Sequence, residues 1–172
     1  MLTDIHIRTD LRPGDIGTVI ALHGTLYAQE YGLDCTIEGY VAESLARFVL
    51  SDDREQSRLW IAEASGQFAG CIGVVGLAAT AQLRWLLVHP AWRGQGLGRA
   101  LFGRALEFCR EHGFKSVFLW TFHGLDAAAH LYRSAGFRLT EQKTHLIWGQ
   151  RLTEERYDLV VPVPAERASR CG

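Results

Sequence analysis

A glycine-rich segment between an apolar strand and a helix restricts the fold of this chain more than any other feature. Leu83–Val88 is an apolar run that His89-Pro90 ends, which is typical of a buried strand. Glycines follow at three alternate positions: Gly94, Gly96 and Gly98. A helix then starts at once, with apolar residues at helical spacing: Leu97, Leu101, Ala105 and Phe108. Because Val117–Trp120 is a second apolar strand, the pattern predicts a strand–helix–strand unit with two parallel strands.

The rest of the chain adds strands and helices around that unit. Further helices are predicted over Asp15–Tyr31 (Asp15 as the cap, Gly32 as the stop), Ile37–Leu50 and Asp126–Ser134. Further strands are predicted at Ile5–Thr9, on both sides of a Ser65-Gly66 turn, and at Phe137–Leu139, Leu146–Trp148 and Tyr157–Val161. The order predicts an α/β fold with a mixed sheet and helices on both faces. For 172 residues we expect one domain over residues 1–164 and a frayed tail over residues 165–172.

Charge and composition exclude several classes of protein. Acidic and basic side chains nearly balance, 19 against 18, and no basic run occurs, so a nucleic-acid partner is not expected. An apolar share of 48% argues against a disordered chain. No apolar run reaches the roughly 18 residues that a membrane span needs, and the first ten residues do not resemble a signal peptide. We therefore expect a cytoplasmic protein without membrane contact.

Cysteine and histidine spacings give no sign of a metal site. The cysteines, which form no C-x-x-C pair, are Cys35, Cys71, Cys109 and Cys171. No pair of histidines has the H-E-x-x-H spacing of a helical zinc site. We expect reduced thiols, at least two of them in apolar surroundings, and no metal.

The glycine loop, defined here as residues 93–99, has the chemistry of an anion site. The first N–H groups of a helix lack partners within the helix and carry the positive end of its dipole. Glycines allow a bulky anion to approach those groups, and Arg93 and Arg99 add positive charge. The predicted ligand is the pyrophosphate of a cofactor. The alternative is that the three glycines only shape a turn.

Two common nucleotide motifs do not fit this loop. A P-loop requires a Gly-Lys pair, which the chain lacks. A dinucleotide-binding fingerprint requires Gly or Ala where Arg99 stands, and an acidic residue at the end of the next strand, which ends in Trp120-Thr121. Both nucleotide interpretations are therefore disfavoured.

Two motifs together resemble those of the GNAT superfamily of acyl-CoA-dependent N-acetyltransferases. Arg93-Gly94-Gln95-Gly96-Leu97-Gly98 matches the signature Q/R-x-x-G-x-G/A. The second hallmark, L-Y-x-x-x-G-F, is similar to Leu131-Tyr132-Arg133-Ser134-Ala135-Gly136-Phe137. The resemblance extends from about Ile5 to Val161. It implies a mostly antiparallel mixed sheet that is splayed at a central parallel strand pair, and acetyl-CoA (coenzyme A) as the cofactor.

The resemblance also implies roles for individual residues. Backbone groups of Leu86 and Val88 hydrogen-bond the pantetheine arm, N–H groups of the glycine loop hold the pyrophosphate, and Tyr132 faces the cofactor sulfur. The implied cofactor-binding residues are Leu86, Val88, Arg93, Gly94, Gln95, Gly96, Leu97, Gly98, Arg99 and Ala128. The chain departs from the pattern at two positions. Leu125-Asp126 stands where many members have Asn, and Gln82, an amide that cannot act as a base, stands where some have a catalytic Glu.

A narrower resemblance concerns the first thirty residues. Arg12-Pro13-Gly14-Asp15, His23-Gly24 and residues 26–32 are similar to the acetyltransferase half of proteins that fuse a MarR-type winged helix to a GNAT domain. Because the first strand begins within a few residues of Met1, we expect no winged helix and no DNA binding.

Candidate acid and base residues follow from the chemistry of thioester aminolysis. Tyr132 is the predicted general acid for the departing thiolate, and the alternative is an aromatic side chain that only packs at a helix end. His123 is the predicted base, because it follows the strand end at Trp120-Thr121, where a parallel sheet opens its ligand crevice. A solvated loop histidine is the alternative. His6, His145 and a water relay are further options for the base.

One stripe of the first helix is the candidate wall for the acceptor substrate. It changes from apolar to polar along its length, through Ile16, Ile20, His23, Tyr27 and Glu30. The functional interpretation assigns His23, Tyr27 and Glu30 to the acceptor, with Glu30 attracting a cation. The alternative is a plain boundary between core and solvent.

The predicted function is acetyl-CoA-dependent transfer of an acetyl group to a primary amine of a small molecule or protein. A non-catalytic acyl-CoA-binding sensor is the alternative, since such a module tolerates the departures at residues 82 and 125. A DNA-associated regulator is disfavoured by the net charge of -1. Aromatic residues near the C-terminal strands suggest a homodimer formed through an edge strand.

Overall fold

A seven-stranded mixed sheet runs through the molecule, and helices cover both of its faces. The computed structural model describes residues 5–52 and 54–162. The strands are β1 (Ile5–Arg8), β2 (Arg58–Ala64), β3 (Gln67–Leu77), β4 (Thr80–Val88), β5 (Ser116–Phe122), β6 (Arg138–Ile147) and β7 (Gln150–Val160). The helices are α1 (Asp15–Tyr31), α2 (Thr36–Leu50), α3 (Leu97–Glu111) and α4 (Asp126–Ser134), with a short 3₁₀ turn at Pro90–Trp92.

The two central strands of the sheet are parallel. The strand order is β1-β2-β3-β4-β5-β7-β6. Within the described ranges, β4 and β5 form the parallel pair and all other neighbours are antiparallel. α3 connects the two parallel strands, because such a pair needs a crossover connection. The predicted fold, an α/β domain with a mixed sheet around a central parallel pair and helices on both faces, is confirmed.

Each face of the sheet has its own apolar core. α3 and α4 cover one face, with a core that includes Leu101 and Tyr132. α1 and α2 cover the opposite face, with a core that includes Leu45 and Cys71. Cys109 lies in the first core, and burial raises the pKa of both thiols, that of Cys109 to about 12. The expectation of at least two thiols in apolar surroundings is therefore confirmed.

The C-terminal strands are longer than the sequence predicts. β6 and β7 form one hairpin where three short strands are expected, and Trp148-Gly149 makes the turn with φ values of 50° and 74°. Positive φ at both positions is what a two-residue hairpin turn requires. β6 is an edge strand exposed along most of its length, so its sequence lacks the apolar alternation that predicts a strand. The edge-strand homodimer stays a prediction, and the tail over residues 165–172 lies outside the described residues.

Arg8 joins β1 to the start of α1 and to β2. Its guanidinium donates to both carboxylate oxygens of Asp15 at 2.8 Å and to Glu63 at 2.7 Å, and 3% of its side chain is exposed. These bonds hold the pKa of both carboxyls below their ordinary range. Asp15 is thus not the helix cap that the sequence predicts. Gly14 occupies that position with a left-handed φ of 99°, while the Asp15 carboxylate binds Arg8.

Replacing Arg8 by alanine should lower the free energy of unfolding by about 3 kcal/mol or more, because it leaves two partly buried carboxylates without their cation. Urea unfolding measures the loss. Arg47→Ala is the matched control: Arg47 makes an exposed pair with Glu43 one helical turn away, worth about 0.5 kcal/mol or less. Equal losses for the two variants would contradict a central role for Arg8.

The same variant should show a defined pH dependence. Asp15 and Glu63 have lowered pKa values in the folded state, so their contribution is present above the ordinary carboxyl pKa and is lost as pH falls through the folded value. The stability difference between wild type and Arg8→Ala should therefore shrink as pH falls below about 4. A difference that stays constant down to pH 3 would contradict the assignment.

Candidate active site

β4 and β5 separate partway along the sheet, and a cavity occupies the gap between them. Their pairing ends at Leu83 and Leu119, although β4 continues to Val88 and β5 to Phe122. We call the gap beyond this last pair the splay. A cavity of about 590 Å³ opens there, with walls from β4, β5, α1, α2, α4 and the glycine loop. This volume is in the range of small-molecule sites, so the splay is the candidate active site.

A β-bulge in β4 coincides with the splay. Trp85 and Leu86 together lie opposite one β3 residue, Ile72, and Trp85 has a φ of 55°. Leu83 belongs to the core under α3, whereas Trp85 and Leu87 belong to the core under α1 and α2. Strict strand alternation places residues 83, 85 and 87 on one face. The bulge therefore turns β4 over and changes which side chains face the cavity.

The glycine loop presents six consecutive N–H groups, from residue 94 to residue 99, that have no acceptor among the described residues. Gly94 and Gly96 adopt left-handed φ values of 73° and 86°, which favour glycine. A Cβ at Gly98 would make only an ordinary contact with Val88, so packing does not require glycine there. Open N–H groups at a helix start fit the pyrophosphate of acetyl-CoA.

Arg93, the first residue of the glycine loop, has protein partners. Its two Nη atoms pair with the Glu30 carboxylate at 2.7 and 3.0 Å, and its Nε donates to the Val88 carbonyl at 3.0 Å. The Arg93 guanidinium lowers the pKa of Glu30. Because Arg93 pairs with this carboxylate here, the geometry does not favour Glu30 as the group that attracts a substrate cation, and that role stays a prediction. The Val88 carbonyl, an implied pantetheine contact, likewise already accepts a hydrogen bond.

The other implied cofactor residues divide into two groups. The cavity wall includes Leu86, Val88, Gly94, Gly96, Leu97, Gly98 and Ala128. Gln95 and Arg99 are not part of it. The Gln95 amide instead donates to the carbonyl of Ala91 at 3.2 Å. The Gln95 side chain therefore has a protein partner, whereas its backbone N–H, like that of Arg99, has no acceptor among the described residues.

Tyr132 projects from α4 into the cavity wall. Its ring packs against Phe102, Phe137 and Tyr157 at centroid distances of 5.6 to 6.4 Å. Burial and the nearby phenol of Tyr27 raise the pKa of Tyr132, so its hydroxyl keeps its proton at neutral pH. That hydroxyl has no hydrogen-bond partner among the described residues and is not fully buried. Tyr132 thus packs with its ring and offers a free donor to the cavity.

His123 lies outside the cavity wall. Its side chain is 75% exposed, and its Nδ1 lies 3.1 Å from a carboxylate oxygen of Glu155. Thr121, two residues before His123, pairs with Glu155 on β7, whereas Phe122 pairs with Glu154. The contact between His123 and Glu155 therefore lies on the face of the sheet opposite the Phe122 side chain. The sequence places His123 correctly after a strand end, but its side chain contacts Glu155 on β7 and does not line the cavity. Its role as the base stays a prediction that this geometry does not favour.

His23 and Tyr27 both line the cavity, as the sequence predicts, but His23 is not a free base. Its Nδ1 donates to the Val19 carbonyl at 2.8 Å, and burial lowers the pKa of the ring to about 4. It is therefore neutral at neutral pH. Tyr27 belongs to a chain of edge-to-face and tilted aromatic contacts that we call the aromatic wall: Tyr27, Tyr31, Tyr40, Phe122 and Trp148.

Glu154 is a cavity residue that the sequence analysis missed. It lies on β7 opposite Phe122, the last residue of β5, and lines the splay from that side. Its side chain is 16% exposed, and a carboxylate oxygen lies 2.5 Å from Nε2 of His145 on β6. The sequence names His145 as able to reach the cleft, but residues 150–156 are polar enough to pass for a loop. Only the hairpin pairing brings this acid and this histidine together.

Comparison with known proteins identifies the family. The profile of the acetyltransferase (GNAT) family matches residues 25–137. Human N-acetyltransferase 8B is 29% identical over 120 residues, which are 66% of this chain and 53% of the relative. N-acetylaspartate synthetase of Danio rerio is 32% identical over 108 residues, which are 62% of this chain and 37% of the relative. The chain spans about half the length of the first of these relatives.

Solved structures share the fold. The ribosomal-protein-S18-alanine N-acetyltransferase of Escherichia coli has a TM-score of 0.71 and 20% identity, covering 95% of this chain and 97% of that one. A Salmonella typhimurium protein, described as an acetyltransferase with its cofactor acetyl-CoA, has a TM-score of 0.69 and 20% identity, covering 97% and 98%. Since the family profile covers more than half of the chain, including the glycine loop and α4, the chain belongs to the GNAT family of acetyltransferases, whose cofactor is acetyl-CoA.

Proposed function

We propose that this chain is an acetyl-CoA-dependent N-acetyltransferase that acetylates a primary amine. The strongest support is that an anion-binding loop and a proton donor face the same cavity at the splay. The glycine loop has six N–H groups without acceptors among the described residues, and four of the residues that carry them line the cavity: Gly94, Gly96, Leu97 and Gly98. The hydroxyl of Tyr132, which likewise has no partner there, lies in the wall of the same cavity. The first feature suits a pyrophosphate, and the second suits a leaving group that needs a proton.

Different groups of the chain bind the cofactor, orient it and transfer protons. Acetyl-CoA, when bound, supplies a thioester whose acyl carbon bonds to the amine nitrogen as its bond to sulfur breaks. The N–H groups of the glycine loop bind the pyrophosphate, and the unpaired edge of β4 orients the arm. Tyr132 holds a proton on its hydroxyl and gives it to the departing thiolate, and the phenolate then takes the remaining extra proton from the nitrogen as the amide forms. Most of the rate comes from positioning two substrates in one cavity.

Glu154 is the proton acceptor in this proposal. An alkylamine has a pKa near 10 and is mostly protonated at neutral pH, so a base is needed before it attacks. Gln82 cannot serve, and His23 is fixed through Nδ1 in the core. The Glu154 carboxylate lies in the cavity wall, and one of its oxygens contacts Nε2 of His145. Glu154 takes the amine proton, and the contact with His145 holds the carboxylate in place.

The relatives' names specify different acceptors. One relative's name specifies aspartate, and one structural neighbour's name specifies the alanine of a ribosomal protein. The kinship with MarR-GNAT fusion proteins, the cytoplasmic location, the absence of a nucleic-acid partner and the homodimer stay predictions. In the part of the chain that is described, no helix is long and apolar enough to cross a membrane.

Two variants separate cofactor binding from chemistry. Gly96→Val forces a β-branched residue into a left-handed conformation and crowds the open N–H groups, so affinity for acetyl-CoA should fall by about ten-fold or more. Tyr132→Phe keeps the ring packing and should keep the affinity, while turnover falls by about ten-fold or more. Calorimetry with acetyl-CoA and CoA release with a panel of amines are the measurements.

Gly103→Val is the matched control, since Gly103 lies in α3 with open space around its Cβ position and an ordinary φ. It should leave acetyl-CoA affinity unchanged. Normal binding by Gly96→Val would place the anion site elsewhere. Binding of acetyl-CoA without CoA release for any amine would favour the sensor over the enzyme. Normal turnover by Tyr132→Phe would make Tyr132 a packing residue only.

Replacing Glu154 by glutamine tests the proposed base. At neutral pH turnover should fall by about 10²- to 10⁴-fold, because the protonated amine no longer has a proton acceptor. The loss should shrink as pH rises toward the amine's own pKa near 10, where the free base is present without help. Steady-state CoA release from pH 6 to pH 10 measures this recovery.

Glu141→Gln is the control for Glu154→Gln, since Glu141 is an exposed acid on β6 that contacts Lys143. It should have the pH profile of the wild type. A deficit in Glu154→Gln that is the same at every pH would show that Glu154 binds the acceptor but does not take its proton.

A further inference from the structure

Arg84 is a positive charge in the cavity wall that the proposed mechanism does not use. Two arginines line the cavity, Arg84 and Arg93. Arg93 is paired with Glu30, whereas no carboxylate of the described residues lies within 4.0 Å of Arg84. Its polar contact is a 3.3 Å hydrogen bond from Nη1 to the neutral side-chain oxygen of Gln82. The Arg84 guanidinium is therefore a half-buried cation without a counterion.

Strand alternation from Leu83 places Arg84 on the side of the splay that α1 and α2 cover, which we call the acceptor side. Its guanidinium lies over the rings of Tyr40 and Trp85, 5.4 and 5.6 Å from their centroids. Trp85 is itself fixed, because its indole N–H donates to Ser44 on α2 at 2.9 Å. Stacking on two rings pre-orders the guanidinium but does not neutralise it, so its N–H groups stay available to an anion.

A second charge lies across the splay. Glu154 stands on β7, two strands away from Arg84, and lines the same cavity. The aromatic wall lies on the face that Arg84 and Glu154 share, between α1, α2 and the end of β5. A ligand that matches these three features has a carboxylate for Arg84, an amine for Glu154 and an apolar side chain for the aromatic wall.

We propose that the acceptor is a small free amino acid with an apolar or aromatic side chain, and that Arg84 binds its carboxylate. This rests on the proposed acetyl transfer and adds the class of the acceptor. A protein side chain or polyamine has no carboxylate beside its amine, and a polyamine would place added positive charge near Arg84. Arg84 thus selects free amino acids over both, because a guanidinium left without its anion in a desolvated site is costly.

The test uses acceptors that share a side chain and differ in the group beside the amine: L-phenylalanine, L-phenylalaninamide and phenethylamine, with the same set for leucine. Because the amines of such a set differ in pKa, kcat/KM is expressed per unprotonated amine. Wild-type kcat/KM, followed by CoA release, should favour each free acid over its amide and its amine by about 10- to 100-fold, the value of a charged hydrogen-bonded pair. In Arg84→Gln this preference should disappear, because the free acids lose their cation and the amides and amines no longer leave a guanidinium without its anion. Arg84→Lys should retain part of the preference, since it keeps the charge but not the two-point geometry.

Arg47→Gln, on the exposed face of α2, is the control and should keep the full preference. Phenylpropionate, which has the ring and carboxylate but no amine, should compete with the acceptor in the wild type, so the proposal can be tested even if Arg84→Gln does not fold. Equal use of acids, amides and amines, or acetylation confined to peptides or polyamines, would overturn the proposal. These outcomes differ from failure of the proposed function, in which no acceptor releases CoA at all.

Discussion

Beyond Leu83, β4 has no strand to pair with on its β5 side, and the whole site is built around this gap. The bulge at Trp85 and Leu86 adds one residue to β4, and bulges bend a strand and increase its twist. The two central strands therefore part while the outer strands stay paired. The gap is stable because each face of the sheet is packed independently, by α3 and α4 on one side and α1 and α2 on the other. A ligand can enter between the strands without displacing either core.

The bulge also decides the chemistry of the two halves of the cavity. Before it, Leu83 faces the core under α3; after it, Trp85 and Leu87 face the core under α1 and α2. Gln82, Arg84 and Trp85 thereby reach the acceptor side together, although an unbroken strand alternates. On the other side, the glycine loop presents backbone donors together with the guanidinium of Arg93. Peptide groups therefore supply most donors of the anion-binding half, and side chains supply the half that recognises the acceptor.

The anion-binding half could be predicted from the sequence, and the acceptor half could not. Glycines at 94 and 96 are local requirements of left-handed backbone at a helix start, so the residue type itself indicates the conformation. Trp85 also has a positive φ, yet a tryptophan gives no such signal, and the bulge is set by tertiary packing. Glu154 and His145 meet through the register of two polar strands. Their contact depends on a pairing that no periodicity in residues 138–156 encodes.

The Arg93–Glu30 ion pair connects the anion-binding half of the cavity to the acceptor half. Its exposure to solvent determines the free energy that the pair contributes. The Arg93 and Glu30 side chains are 45% and 26% exposed, so solvent screens the pair and its net value is about 1 kcal/mol or less. Pyrophosphate binding by the glycine loop offers Arg93 a more highly charged partner at the positive end of a helix. Exchange of Glu30 for a phosphate therefore costs little. It would leave the Glu30 carboxylate without its cation at the edge of the acceptor half, so that loop occupancy and the charge near the acceptor are physically coupled.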